Sequence, residues 1–272
     1  TLSLIPSSSS LYGPARSLMG QALFQRMLRY QEKNASVQAN DLAPRIAKYH
    51  KEALQHSLTE KESQISNYQV GYTLYQNKQF NEALPFWENY LELAEPSKET
   101  EDIRYRVATI HQSKKNWLKA EQHYGEYATS KLDLPEENKA QATFWWGEVA
   151  FQRAAEQLEV SLKTGTLDPT FVREIVPRYE KYLATNDSNY RPLAAFRLGQ
   201  LYQSIDYPQQ AITAYQRYLK TKDDAFQQEA HYELGMLYAR QNEPKLALEQ
   251  LLPLRSQERY RQEPGFWTML VQ

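Results

Sequence analysis

At 272 residues, 41% hydrophobic and 24% charged, the chain is long enough to bury a large apolar core. Its formal net charge of -1, from 32 basic and 33 acidic residues, lacks the clustered Lys and Arg that nucleic acid or an anionic membrane surface demands. Cysteine is absent, which excludes disulfides, thiolate nucleophiles and Cys-containing metal sites together, and no apolar run approaches the roughly 20 residues of a membrane helix.

A single domain is the expectation at this length. Residues 1–12 (TLSLIPSSSSLY) are Ser-rich with little to bury and read as a flexible lead-in, without the basic region and long apolar core of a secretion signal. The chain does not begin with Met, so either a leader has been removed or the sequence is an excised part of something longer. Residues 13–63 predict a capping helix pair. The first helix, over residues 14–33, carries the stripe Leu18, Ala22, Leu23, Met27 and Tyr30; the second starts at an Asp41 cap with Pro44 in its first turn and carries Leu42, Ile46, Tyr49, Ala53 and Leu54. This pair lacks the small-residue signature of the rest of the chain.

From residue 64 to 260 one pattern recurs five times. It can be aligned on a small residue, Gly71, Ala108, Gly147, Gly199 and Gly235, at intervals of 37, 39, 52 and 36. Twelve residues on, four copies carry a second small residue: Ala83, Ala120, Ala211 and Ala247. The second half of each copy then has a pair three apart, Trp87/Tyr90, Tyr124/Tyr127, Tyr179/Tyr182, Tyr215/Tyr218 and Leu251/Leu254, which lies on one helix face. Each copy is therefore a helical hairpin with a fixed crossing and variable connections. In the fourth, Gly199 leaves a hole for the approach of the second helix, Ala211 supplies the matching small side chain, and Tyr202, Tyr215 and Tyr218 fill the surroundings.

These residues, best of all Leu198-Gly199 and Leu234-Gly235, resemble the tetratricopeptide repeat family, whose unit is a helical hairpin of about 34 residues. The family's Trp four before the glycine is replaced by Asn67, Arg104, Thr143, Ala195 and His231. The resemblance implies an all-α fold: a right-handed α-solenoid of about five hairpins behind an N-terminal helical cap. The looser repeat is similar to those of bacterial envelope proteins. The third copy is the odd one, because Tyr179 follows Gly147 by 32 residues where Tyr215 follows Gly199 by 16. The extra residues read as two longer helices, each gaining about two turns, with Gly165 ending the first and Asp168-Pro169 opening the second. Residues 261–272, with Phe266, Trp267 and Leu270, read as a capping helix or the start of a further repeat.

Nothing in the sequence has the spacing of a catalytic or cofactor-binding constellation. The five histidines are scattered, and there is no HExxH, phosphate-cradling glycine loop or nucleophile elbow. Neither enzyme activity, nor a metal, nor a cofactor is expected. The candidate site is instead the concave face that the first helices of such a stack would line. Positions three before the small residue place an aromatic column there, Tyr68, Tyr105, Phe144, Phe196 and Tyr232, suited either to a partner or to packing between repeats. Positions one and four after add Tyr72, Glu148 and Gln200, and Tyr75 and Phe151. Arg106 and Arg197, two before it, either meet an acidic partner or pair with nearby carboxylates. Family members that hold a chaperone's C-terminal carboxylate use Asn and Lys on this face; no Asn stands at the positions one and four after, so chaperone-tail binding is not implied.

The expectation is a non-catalytic scaffold that holds a partner protein or peptide in its groove, within a multi-protein assembly of the bacterial periplasm or outer membrane. The alternatives are a cytoplasmic setting and a sensor domain of a larger regulator that binds a small peptide or metabolite. No nucleic acid partner and no membrane span are expected.

Overall fold

The computed structural model describes residues 2–161 and 167–261. Among these, regular structure is helical throughout. The α-helices are α1 (Tyr12–Glu32), α2 (Ser36–Ala53), α3 (Glu60–Gln76), α4 (Phe80–Leu93), α5 (Lys98–Ser113), α6 (Trp117–Ala128) and α7 (Glu136–Ser161). They continue with α8 (Pro169–Leu183), α9 (Arg191–Ser204), α10 (Pro208–Leu219), α11 (Gln227–Arg240), α12 (Pro244–Leu251) and α13 (Glu258–Arg261). Length alone suggested one domain, but the contacts divide the chain into two compact units, Thr1–Asn116 and Trp117–Gln272. The division falls inside the second sequence repeat, with α5 in the first unit and α6 in the second.

In the first unit α1 packs on α2 and α3 on α4; in the second α7 packs on α8, α9 on α10 and α11 on α12. The small residues sit at these crossings, but what they admit differs from the sequence expectation. At Gly199 the neighbour is the ring of Tyr215, with Cε1 2.5 Å from where a Cβ would stand, and not Ala211. Trp87 meets Gly71 and Leu251 meets Gly235 in the same manner. The first helix gives up a side chain so that a large one from the second can lie flat on its backbone. Ala83, Ala211 and Ala247, fully or almost fully buried, lie one helical turn before those large residues.

The N-terminal pair follows this rule too, which corrects the reading that it lacks the signature. His50 lies on Gly20 as Tyr215 lies on Gly199. Ile46 stands one turn before His50, as Ile175 stands one turn before Tyr179. The buried face of α1 is consequently Gly13, Ser17, Gly20, Phe24 and Met27, whereas Leu18 is 51% exposed. α2 begins at Ser36 and runs through Asp41 and Pro44. Pro44 and Asn40, whose carbonyl loses its helical donor, are both exposed, so water can satisfy that acceptor.

Five helix ends share one turn. Asn34, Lys78, Lys115, Asp206 and Asn242 all have φ between 55° and 61°. After each, the next N–H reaches back into the preceding helix, as Gln79 to the Leu74 carbonyl and Tyr207 to that of Tyr202, both at 2.9 Å. These are the bonds of a left-handed helix end.

The third hairpin is lengthened, though not equally on both sides. α7 extends 14 residues past Gly147 where α9 extends five past Gly199, and α8 begins ten residues before Tyr179 where α10 begins seven before Tyr215. The first helix thus takes about two and a half extra turns and the second less than one. Asp168 caps α8 by accepting the Thr170 N–H at 2.8 Å, with Pro169 behind it. The expected stop at Gly165 and the apolar residues Phe266, Trp267 and Leu270 lie outside the described residues.

Candidate functional site

Two of the five rings of the aromatic column expected in the groove are core. Phe144 and Phe196 are 0% and 2% exposed, so they offer no surface to a partner. Phe144 stacks on Tyr190 with centroids 4.4 Å apart and planes 6° apart, and Phe196 stacks on Phe226 at 4.6 Å and 14°. Tyr190 and Phe226 immediately precede α9 and α11, so each ring is clamped by the start of the following repeat. Tyr232 is partly exposed and stacks on buried Tyr260 of α13 at 5.1 Å.

The same clamp includes a polar latch that sequence reasoning missed. The Tyr182 hydroxyl accepts the N–H of Tyr190 at 2.8 Å and donates to Asp187 at 3.1 Å. One repeat later the Tyr218 hydroxyl accepts the N–H of Phe226 at 2.7 Å and donates to Asp223 at 3.0 Å. Asp187 and Asp223 accept from Asn189 and Ala225 N–H, and Thr185 and Thr221 accept from the N–H of those aspartates. Burial pushes the Tyr218 hydroxyl up to about 12, against the opposing Phe226 N–H, so it remains a donor. The signal was present: Tyr, Thr, Asp and an aromatic recur at positions 182, 185, 187 and 190, and again at 218, 221, 223 and 226.

Consecutive first helices are also riveted by one recurring pair, four after the small residue of one repeat and two before that of the next. Arg106 lies 5.0 Å over the Tyr75 ring while its Nε donates to Asp102 at 2.8 Å. Arg197 lies 4.3 Å over Phe151 and holds both oxygens of Glu148, at 3.1 and 3.2 Å. Gln203 donates to Glu233 at 2.7 Å. Glu148 also accepts the Tyr179 hydroxyl at 2.7 Å, and burial followed by this carboxylate holds that phenol well above its usual range. Both arginines are therefore paired within the chain, and Gln200 accepts a further bond from Arg197 at 3.0 Å.

What stays accessible on the first unit's first helices is a tyrosine run. Tyr68, Tyr72 and Tyr75 on α3 are partly exposed, as are Tyr105 and Arg106 on α5. Phe24 of α1 backs Tyr72 at 5.3 Å, and Tyr90 backs Tyr68 at 5.3 Å. Burial first, then Glu99, pushes the Tyr68 phenol up to about 12. Among the described residues no group of three or more His, Cys, Asp or Glu is placed to hold a metal ion, and no helix is long and apolar enough to cross a membrane. Ser66 and His50 do meet at 3.0 Å, but both are 0% exposed and out of reach of any substrate.

No known family profile matches the chain, and no curated protein sequence matches it. Among solved structures it is similar to YrrB, a TPR protein with an unusual peptide-binding site, at TM-score 0.51 and 15% identity over 78% of this chain and 95% of that one. MamA is similar at 0.48 and 15% over 73% and 97%, and PilF of Pseudomonas aeruginosa at 0.48 and 13% over 94% and 98%. The fold is that of the tetratricopeptide repeat proteins.

Proposed function

We propose that this chain is a non-catalytic interaction scaffold that holds a partner protein or peptide on the face of its first helices, within an assembly of the bacterial cell envelope. The observation that carries the reading is the run Tyr68, Tyr72 and Tyr75, partly exposed rings at i, i+4 and i+7 of α3. Such rings offer large contact area with few rotatable bonds to freeze. Packing against Phe24 and Tyr90 holds two of them in place before any partner arrives. The fold shared with YrrB, which has a peptide-binding site, supports the same use here. The envelope setting rests on sequence alone, on the lack of cysteine and the style of the repeat.

A photo-crosslinking residue at Tyr72, in cells making the full-length protein, tests both parts after fractionation. Phe196 would be the wrong position, being buried. The expected result is one recurring protein in the envelope fraction, lost with Tyr68→Ala and Tyr75→Ala while circular dichroism shows the helices intact. Self-crosslinks alone would overturn the binding face, and a cytosolic partner would overturn the setting.

A further inference from the structure

In two later repeats the ring three before the small residue is covered flat by a ring that opens the next first helix: Phe144 by Tyr190, and Phe196 by Phe226. Tyr190 and Phe226 stand nine residues before the small residues of those helices, Gly199 and Gly235. Nine before Ala108 stands Glu99, so at the equivalent ring, Tyr68, a carboxylate takes the place of the cover. The rest of the setting is kept. Tyr90 leans on Tyr68 at 5.3 Å and 54°, as Tyr182 leans on Phe144 at 5.3 Å and 57° and Tyr218 on Phe196 at 5.5 Å and 60°. The other rings beside Tyr68, those of Phe24 and Tyr72, have their centroids 6.2 and 6.1 Å away. Tyr68 is therefore partly exposed where Phe144 and Phe196 are closed.

Glu99 is near that ring. After burial it is the strongest influence raising the Tyr68 phenol, and Asp102, one turn along α5, adds to it. Asp102 already holds Arg106 at 2.8 Å, whereas Glu99 is exposed and forms no ion pair among the described residues.

Elsewhere the chain itself shows what a ring beside a carboxylate takes. Arg16 lies 4.5 Å over Tyr12 and pairs with Glu52 at 3.1 Å. Arg178 lies 4.3 Å over Trp146 and pairs with Glu121 at 2.7 Å. Arg106 does the same on Tyr75 and Asp102, and Arg197 on Phe151 and Glu148. A guanidinium serves both partners because it is flat, weakly hydrated and carries donors along its edge. Tyr68 with Glu99 is the same combination without its guanidinium. A ring from a partner would cover Tyr68 and leave Glu99 unpaired; an ammonium would meet Glu99 without lying flat on the ring.

We propose that the partner held on the α3 face places an arginine on Tyr68, its guanidinium over the ring and its N–H groups donating to Glu99. This rests on the reading of that face as a binding surface, and adds the chemistry it selects: an arginine-bearing segment.

The test uses four labelled, amidated heptapeptides on the whole chain, read by fluorescence anisotropy, that differ only at a central Arg, Lys, citrulline or Trp between two Leu. The Arg peptide is expected to bind best, and about tenfold better than the citrulline peptide, which has the same shape without the charge. Glu99→Gln should bring the Arg peptide down to the citrulline level. Glu99→Phe, which supplies the ring of the later repeats, should abolish the preference for Arg while circular dichroism shows the helices intact. Equal binding of the Arg and citrulline peptides, an Arg preference that survives Glu99→Gln, or no binding of the Arg peptide up to about 1 mM would overturn the proposal. So would tightest binding by the Trp peptide. If in any of these cases crosslinking from Tyr72 still traps one envelope protein, the α3 face stands as a binding surface and only its choice of arginine falls.

Discussion

The ring of Tyr215 occupies the place that a side chain on Gly199 would take, 2.5 Å from the position of a Cβ. At Gly147 the corresponding ring, Tyr179, stands off at 3.4 Å, an ordinary contact. Two glycines in equivalent positions should therefore respond oppositely to the same change. Gly199→Ala is expected to cost ~1–3 kcal/mol by overpacking, whereas Gly147→Ala should be neutral or stabilising by up to ~1 kcal/mol, because Ala is the better helix former. Urea unfolding of the two variants decides it. Equal effects would refute this account of the crossing.

The latch between repeats can be cut without touching its packing. Tyr218→Phe keeps the ring on Phe196, whose centroid is 5.5 Å away, and removes the hydroxyl that accepts the Phe226 N–H. A loss of ~1 kcal/mol is expected. Hydrogen exchange at the Phe226 amide should quicken. Tyr207→Phe, exposed at a hairpin turn, should do neither. Unchanged exchange at Phe226 would mean that water or a shifted backbone replaces the bond at no cost.

At the hairpin turns, lysine is the odd choice. Lys78 adopts φ 61°, where a Cβ is crowded and glycine is not. Lys78→Gly should stabilise the first unit by roughly 0.5–1 kcal/mol, while Asn34→Ala and Asn242→Ala should destabilise, since Asn tolerates this region better than Ala. Thermal melts of the three variants provide the check. A destabilising Lys78→Gly would show that the lysine side chain contributes something the turn geometry does not require.

Acid should weaken the first unit through His50. It is buried between α1, α2 and α3, with Nδ1 against the Ser66 hydroxyl at 3.0 Å and Nε2 on the Gln69 carbonyl oxygen at 2.8 Å. Burial lowers its pKa to about 4, against the raising effect of Gln69. In the unfolded chain it titrates near its ordinary value of about 6.5. Between those values the unfolded state binds the extra proton. The stability contributed by neutral His50 is thus complete above pH 6.5 and is lost as pH falls towards 4, to a total on the order of 3 kcal/mol. Unfolding free energies across that range should show the slope, and His50→Gln should remove it whatever its own cost. An unchanged slope would assign the acid sensitivity to other groups.

The positions of the hairpins were legible because their determinants are local. A glycine on one helix and a large residue on the next, 16 apart in three copies, mark a crossing without knowledge of anything distant. The same locality explains why the third hairpin's excess length was visible, and why its division between α7 and α8 was not: helical residues on either side of a connection carry the same pattern. The pairing of Gly20 with His50 was not legible, because their separation, 30 residues, matches neither the 16 of three repeats nor the 32 of the third.

By itself, the sequence determined that this is an array of helical hairpins and where those of the repeats centred on Gly71, Gly199 and Gly235 cross. Helical periodicity tells which way a side chain points and is silent on what meets it. Only the tertiary structure decided that Phe144 and Phe196 are closed off by Tyr190 and Phe226, and that Arg106 and Arg197 are engaged in contacts within the chain. Each of those outcomes depends on residues brought in from a neighbouring helix, and their volume and charge enter only when the helices pack.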